Sequence, residues 1–394
     1  MNQTDHCIGV LMSEQTTDEI PLADKFIFEG PNEAGLCTAT FYAFNTVVTL
    51  QAYTASLHNG EIRRKNSAAK AGNEEFLRNG FDITTCDADD SRKDADARKA
   101  ESLRGIFEAA RDRCRFFENR FSRTLSRSDI SRLNNADGAW VEICKETYEL
   151  LQHSLRYCEE SGGVFDITMG SVVRLWDFHR GVIPGEKDIA EALTHVDWRT
   201  IKLGTHEELN PRNDICRRPR FSARIADPRA SVDVGGTAKG YIADDLGKLL
   251  QDNGLSSYVI NLGGNVLAHG SKPQGGPWRI GIQDPRASRE SGSILGAVPL
   301  ENASAVTSGT YERYFMHNER AYHHILDPKT GYPVQTDLAG ATVVAHTSLD
   351  AEGYSTTLLA LGKDAAVEFV RTHEAILAAY LVDDEGRMFA VTRG

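Results

Sequence analysis

A few short stretches of this chain carry residue types able to do chemistry. Asp233-Val-Gly-Gly-Thr-Ala-Lys239-Gly240 sets a carboxylate, a pliable turn and an ammonium just ahead of a helical segment. Glycines admit close approach to the backbone, a helix start favours anions and Lys239 adds positive charge, so a phosphate group fits; so does a turn that only caps the helix. Tyr322-His323-His324-Ile-Leu326-Asp327-Pro-Lys-Thr-Gly-Tyr-Pro joins two imidazoles and a carboxylate to a Pro/Gly-rich turn. A histidine can take a proton near neutral pH, and a structural turn with satisfied histidines is the alternative. Asp350, Glu352, Ser355 and Thr356 open a helix on which Glu352 and Thr356, at i and i+4, present two oxygens on one face. Oxygen donors of this kind suit Mg²⁺, although a capping Asp on a solvated helix start explains them equally. Gly162-Gly-Val164-Phe165-Asp166-Ile-Thr-Met-Gly170 reads as a buried turn, against whose exposed backbone a flat ring could lie. Ser122, Ser128, Asp129, Ser131 and Asn134 have the look of loop and capping residues.

The elements that must position these stretches follow from periodicity. A strand is expected from Phe41 to Tyr53, dense in β-branched and aromatic residues. From about 56 to 99 the chain is polar and reads as a solvated insertion. Leu103, Ile106, Phe107, Ala110, Cys114, Phe117 and Phe121 then fall on one helical stripe, which predicts a core face. A second helix is expected over roughly Lys145 to Glu160, stopping at Gly162-Gly163, where a left-handed terminal residue is needed. Residues 181–230 read as mixed loop and short strand, followed by a helix over KGYIADDLGKLLQDNG closed by Gly254. A strand YVINLGGNV and a strand PWRIGIQDP come next, with helices at about Ala351 to Leu361 and Ala365 to His373 and a final hairpin AYLVDDEGRMFAV. Strands that follow directly on strands, beside strands separated by helices, point to an α+β architecture.

The whole chain bounds the partners. With 394 residues and 41% hydrophobic content it can bury a sizeable core without cross-links. Its net charge of −12 argues against nucleic acid as the main partner. The longest apolar run, Ala375 to Val382, falls far short of the roughly 20 residues a membrane-spanning helix needs, so no membrane-spanning segment is expected. Seven scattered cysteines without a CxxC pair imply neither a disulfide framework nor a zinc site, and with no recognisable secretion signal they lead to a cytoplasmic expectation.

Taken in order, FSRTLSRSDISRLN, GGVFDITMGSVVRLWDF, VDVGGTAKGYIADDL, YVINLGGNV, PWRIGIQDP, TSGTYERYF, HHILDPKTGYPV and AEGYSTTLLALG resemble the FAD:protein FMN transferase (ApbE-type) family from about Phe41 to the C-terminus. The resemblance implies mixed and antiparallel sheets with flanking helices, forming one flavin transferase domain over 37–394 behind an arm at 1–36 and interrupted by the insertion. It implies Mg²⁺-dependent cleavage of the FAD pyrophosphate, with FMN passed to a Ser or Thr of a target flavoprotein and AMP released. Carried onto this chain, Asp233 and Lys239 would contact FAD, and Val164, Phe165 and Asp166 would hold the flavin nucleotide. Leu326 and Asp327 would touch it, and Phe44 and Thr124 occupy further flavin-contact positions. His324 matches the histidine of the family's SHIIDP block and would be the base; the backbone carbonyl of Gly236, with Glu352, Ser355 and Thr356, would form the metal site. At the metal the chain departs from the family pattern, since Glu352 stands where Asp is usual. Two alternatives stay open: an Mg²⁺-dependent FAD pyrophosphatase giving FMN and AMP, and a non-catalytic FAD-binding protein.

Overall fold

Period-two burial builds the strands of this molecule and 3.6-residue periodicity its helices. The structure, a computed structural model, describes residues 25–57, 88–209, 217–287 and 291–393. In chain order the strands are β1 (Phe26–Glu29), β2 (Leu36–Ala43), β3 (Thr46–Tyr53), β4 (Val141–Ile143), β5 (Ile201–Leu209), β6 (Arg217–Ile225), β7 (Tyr258–Leu262) and β8 (Asn265–His269). They continue with β9 (Trp278–Gln283), β10 (Ile294–Leu300), β11 (Ala303–Gly309), β12 (Tyr314–His317), β13 (Arg320–His323), β14 (Gly340–Ala345), β15 (Ile376–Val382) and β16 (Met388–Thr392). The helices are α1 (Ala88–Phe121), α2 (Asp129–Asn134), α3 (Lys145–Glu160), α4 (Gly170–Val173), α5 (Glu186–Leu193), α6 (Ala238–Asp252), α7 (Ser348–Leu361) and α8 (Lys363–Thr372).

Nine strands form one sheet in the order β1-β2-β3-β7-β8-β11-β14-β15-β16, and its neighbouring strands pair antiparallel. Alternate residues of these strands feed two cores. Val48, Leu50, Ile260, Leu262, Val306, Ala341 and Val343 face the helices, joining Leu103, Phe107 and Phe117 of α1, Ile242 and Leu246 of α6 and Leu358 of α7. Val259, Ala305 and Val344 point to the other face, which the β9–β10 ribbon covers with Trp278, Ile282 and Val298. A three-stranded sheet, β4-β6-β5, and the β12–β13 hairpin complete the α+β architecture.

Several expected elements appear where periodicity puts them. α3 spans Lys145–Glu160, and the chain leaves it through Gly162 and Gly163 at φ 63° and 84°, the left-handed region the stop requires. The stripe on α1 is buried as expected from Leu103 to Phe121, with Ile106 only partly so.

Other elements differ. The single strand expected over Phe41 to Tyr53 is a hairpin, β2 and β3, turning at Phe44 and Asn45, both with positive φ. That turn lacks the glycine that usually signals it. The arm at 1–36 contributes β1, an edge strand paired to β2, while its residues 1–24 lie outside the described residues. The polar stretch expected at 56–99 likewise falls largely outside them, over 58–87, but Ala88 to Lys99 is the start of α1. Charge density there hides helix propensity, because its Ala, Lys and Arg residues are good helix formers. YVINLGGNV is two strands turning at Gly263-Gly264. The stretch 181–230 holds α5 and two nine-residue strands, whose charged side chains dilute the apolar signal but not the alternation of Ala223 and Ile225 with Arg224.

Candidate active site

The site begins where α6 crosses α7. A Cβ added to Gly240 would lie 2.6 Å from both Leu349 Cα and the Ser348 carbonyl oxygen, so only glycine lets the two helices meet at this depth. Asp244, one turn further along α6, accepts hydrogen bonds from the Ser348 and Leu349 amides at 2.8 and 2.9 Å and so caps α7 from outside. Thr347 and Asp350 complete the cap by reciprocal bonds, and Asp350 also pairs with Arg156 and accepts from Tyr157 Oη at 2.7 Å. Asp350 is therefore a structural residue.

This crossing brings Lys239, in the first turn of α6, against Glu352 of α7, 113 residues further along the chain. Lys239 Nζ ion-pairs with one carboxylate oxygen, and the Gly240 amide donates to the other. Glu352 is only 3% exposed. One turn on, the fully buried Ser355 hydroxyl donates to the Glu352 carbonyl at 3.1 Å and bonds Ser308 of β11 at 2.9 Å. Thr356 is half-buried and its Oγ1 lies 3.1 Å from the same Ser308 hydroxyl. Ser308 was not singled out from sequence, although it sits in the TSGTYERYF block.

Ahead of α6 the glycine turn is pinned from below. The Asp233 amide donates to the Ile167 carbonyl at 2.8 Å, and a Cβ on Gly236 would lie 2.8 Å from the Phe165 ring, so that ring floors the turn. Asp166 does not face outward: its carboxylate accepts from Thr168 N and Oγ1 at 2.8 and 2.6 Å and from Trp198 N at 3.2 Å. Burial pushes its pKa up, against those bonds. Asp166 shapes the segment, and Phe165 is buried in the core beneath the glycine turn. Asp233 accepts from Gly235 N at 2.8 Å and pairs with Arg123 at 3.2 Å. Arg123 was missed in the sequence, where its only signal is its place beside Thr124.

Thr124 and Phe44 each bond to residues at or near the C-terminal end of α1. Thr124 sits in a turn held by the Ser122 hydroxyl, and the Phe44 amide donates to Glu118 at 2.7 Å. Phe121 of the same helix end packs edge-on against Tyr241 of α6 at 5.9 Å, which ties this corner to the crossing.

His324 follows directly on β13. Its backbone N–H donates to the Arg313 carbonyl at 3.1 Å, and Nδ1 lies 3.3 Å from that same oxygen. A carbonyl can only accept, so Nδ1 carries the hydrogen and the Nε2 lone pair is free. Desolvation, then the positive charges of Arg313 and Lys239, push its pKa down to about 3, so the imidazole is neutral at physiological pH. The influence of Lys239 places His324 within electrostatic reach of the α6–α7 crossing. Leu326 is buried with Met169, Val172 and Trp176. The Asp327 carboxylate accepts from Lys329 N at 2.8 Å, and its carbonyl accepts from Gly331 N at 2.8 Å. Asp327 thus builds the turn that holds His324 in place. His323 is buried and its Nδ1 has no partner among the described residues.

For a metal the donor chemistry matters. Among the described residues no three His, Cys, Asp or Glu side chains converge on one point. Glu352 and Thr356, at i and i+4 on α7, offer hard oxygens too few to complete an octahedron. That set fits Mg²⁺, which usually takes one or two carboxylates and fills its remaining positions with phosphate and water.

Comparison with known proteins shows the family and the fold. Residues 81–381 match the profile of the ApbE family. An FAD:protein FMN transferase of Treponema pallidum is 32% identical over 66% of this chain and 72% of its own length. One of Klebsiella pneumoniae is 31% identical over 75% of this chain and 80% of its own. Among solved structures, the ApbE protein of Thermotoga maritima superposes with a TM-score of 0.67 at 23% identity, covering 93% of this chain and 97% of that one. The apo flavinyl transferase ApbE of Pseudomonas stutzeri does so with 0.64 at 23% identity, covering 93% and 95%; these two likenesses speak to the fold.

Proposed function

The chain belongs to the ApbE family, and from that premise we propose that it is an FAD:protein FMN transferase whose chemistry is done where α6, α7 and the His324 turn meet. The convergence of Lys239, Glu352 and His324 from three distant stretches carries this reading.

The FAD diphosphate lies on the Gly235-Gly236 turn, where backbone amides, the start of α6 and the Lys239 ammonium favour an anion. Val164, Phe165, Phe44 and Thr124 border the nucleotide, with the Leu326 main chain. A Ser or Thr hydroxyl of the recipient attacks the phosphorus of the FMN half; the new P–O bond forms as the bond to the AMP phosphate oxygen breaks. His324 Nε2 takes the hydroxyl proton, and AMP leaves carrying the electron pair of the broken bond. Negative charge from the bound diphosphate opposes Arg313 and Lys239 and raises the basicity of His324 at the moment it is needed. Mg²⁺, held by Glu352, Thr356 and Gly236, would neutralise diphosphate charge when bound. Ser355, bonded inward, steadies Glu352 and Ser308.

The recipient is a separate flavoprotein with a Ser or Thr acceptor. Among the described residues no helix is long and apolar enough to cross a membrane. A cytoplasmic location belongs to the same proposal and is supported by the buried free thiols of Cys37, Cys114 and Cys158.

Incubating the protein with FAD, Mg²⁺ and a recipient domain should yield a flavin-fluorescent band that survives denaturation. FMN and AMP released at a rate no acceptor changes would instead make the protein a pyrophosphatase, and tight FAD binding with neither product would make it a binding protein.

A further inference from the structure

Both oxygens of the Glu352 carboxylate are engaged inside the fold, one by Lys239 Nζ and the other by the Gly240 amide. A carboxylate that is 3% exposed needs a compensating cation, and Lys239 supplies it. The two partners are not equally buried: the Lys239 side chain is 27% exposed against 4% for Glu352. Its four-carbon stem can therefore swing while α6 stays fixed, whereas Glu352 is anchored by the α6–α7 crossing. A divalent cation at Glu352 would set two cationic centres against one carboxylate in a poorly solvated place, so Lys239 has to leave first. The anion best placed to draw it away is one lying on the Gly235-Gly236 turn, three residues before it.

We propose that Lys239 is the resident counter-ion of Glu352, released to the diphosphate of the incoming dinucleotide, so that dinucleotide and divalent cation bind cooperatively. The proposal deepens the transferase reading and rests on it for the identity of the diphosphate. No bond is made or broken in the exchange; one ammonium moves from carboxylate to phosphate and a divalent cation takes the one carboxylate oxygen it vacates, the other staying with the Gly240 amide. By linkage, whatever the diphosphate adds to cation affinity the cation adds to diphosphate affinity.

Mn²⁺ is the probe, its free-ion electron paramagnetic resonance signal followed during titration into the FAD-free full-length chain. The wild type should bind weakly, Lys239→Met at least about tenfold more tightly, and Lys239→Arg like the wild type. The double variant Lys239→Met with Glu352→Gln should lose the gain. A Lys239→Met affinity equal to that of the wild type, or a gain that survives Glu352→Gln, overturns the exchange. Should circular dichroism show Lys239→Met unfolded, the wild type decides: FAD affinity, read by flavin fluorescence, should tighten about tenfold when Mg²⁺ replaces a chelator, and equal affinities overturn cooperativity. Failure of the transferase reading would show as absent covalent flavin and leave the Mn²⁺ curves untouched, so the two failures are distinguishable.

Discussion

His324 is poised by a single carbonyl. The Arg313 oxygen accepts from both its backbone N–H and Nδ1–H, which leaves the Nε2 lone pair to the proposed acceptor hydroxyl. His324→Ala should retain FAD, by fluorescence quenching, while covalent flavin transfer falls by about 10²-fold or more; normal transfer would remove it as the base. Its depressed pKa also has a stability consequence with a definite sign. The folded chain keeps the imidazole neutral down to about 3, whereas the unfolded chain protonates it near the usual value of about 6.5. The stability it contributes is thus complete above about 6.5 and is lost as pH falls toward the folded value. Between those limits His324→Gln should lose less thermal stability than the wild type; parallel melting curves would contradict the assigned environment. Glu352→Gln leaves Lys239 without its buried counter-charge and should cost about 2–3 kcal/mol in urea unfolding, at the low end of a broken buried pair because Lys239 is partly wet. The Glu352→Gln variant should lose transfer as well.

The α6–α7 crossing converts sequence into site geometry. Gly240 sets the depth of that crossing and Asp244 its register, so the crossing, not the polar residues alone, places Lys239 on Glu352. Gly240→Ala forces backbone against backbone and should destabilise the protein by about 2–3 kcal/mol, with loss of transfer, by urea titration and gel fluorescence. An alanine variant of full stability and activity would show that the helices have room to spare. Hydrophobic spacing made α3 legible in the sequence, and α6 and α7 could also be read there, along with the left-handed exits at Gly162 and Gly254. It did not show the hairpin at Phe44-Asn45, because two positive φ angles on non-glycine residues leave no mark on composition.

Across the molecule, the nine-stranded sheet carries β11 with Ser308 beneath α7, the β2–β3 turn beside the end of α1, and a separate aromatic cluster around Trp176 that holds the His324 turn. A ligand bridging these parts should stabilise the whole. At about a hundredfold its dissociation constant, FAD with Mg²⁺ should add about 2.7 kcal/mol and raise the melting temperature by a few degrees, in His324→Ala as in the wild type. A His324→Ala protein that binds FAD without this shift would place the nucleotide outside the folded site.

Local rules acting over a few residues sufficed for the α+β class, for most helices and for the short blocks that carry chemistry. Those blocks singled out His324, Lys239, Glu352 and Thr356, because the residue types and their spacing are themselves linear features, and the fold sets Lys239 against Glu352. What no linear pattern could show is the division of labour among them. Asp166 and Asp327 look like ligands in the sequence and spend their carboxylates on turns, while Arg123 and Ser308 look incidental and bond to Asp233 and Ser355 of the proposed site. A carboxylate's role depends on which amides and cations reach it, and those arrive from residues far away along the chain, brought within hydrogen-bonding distance only when the helices pack.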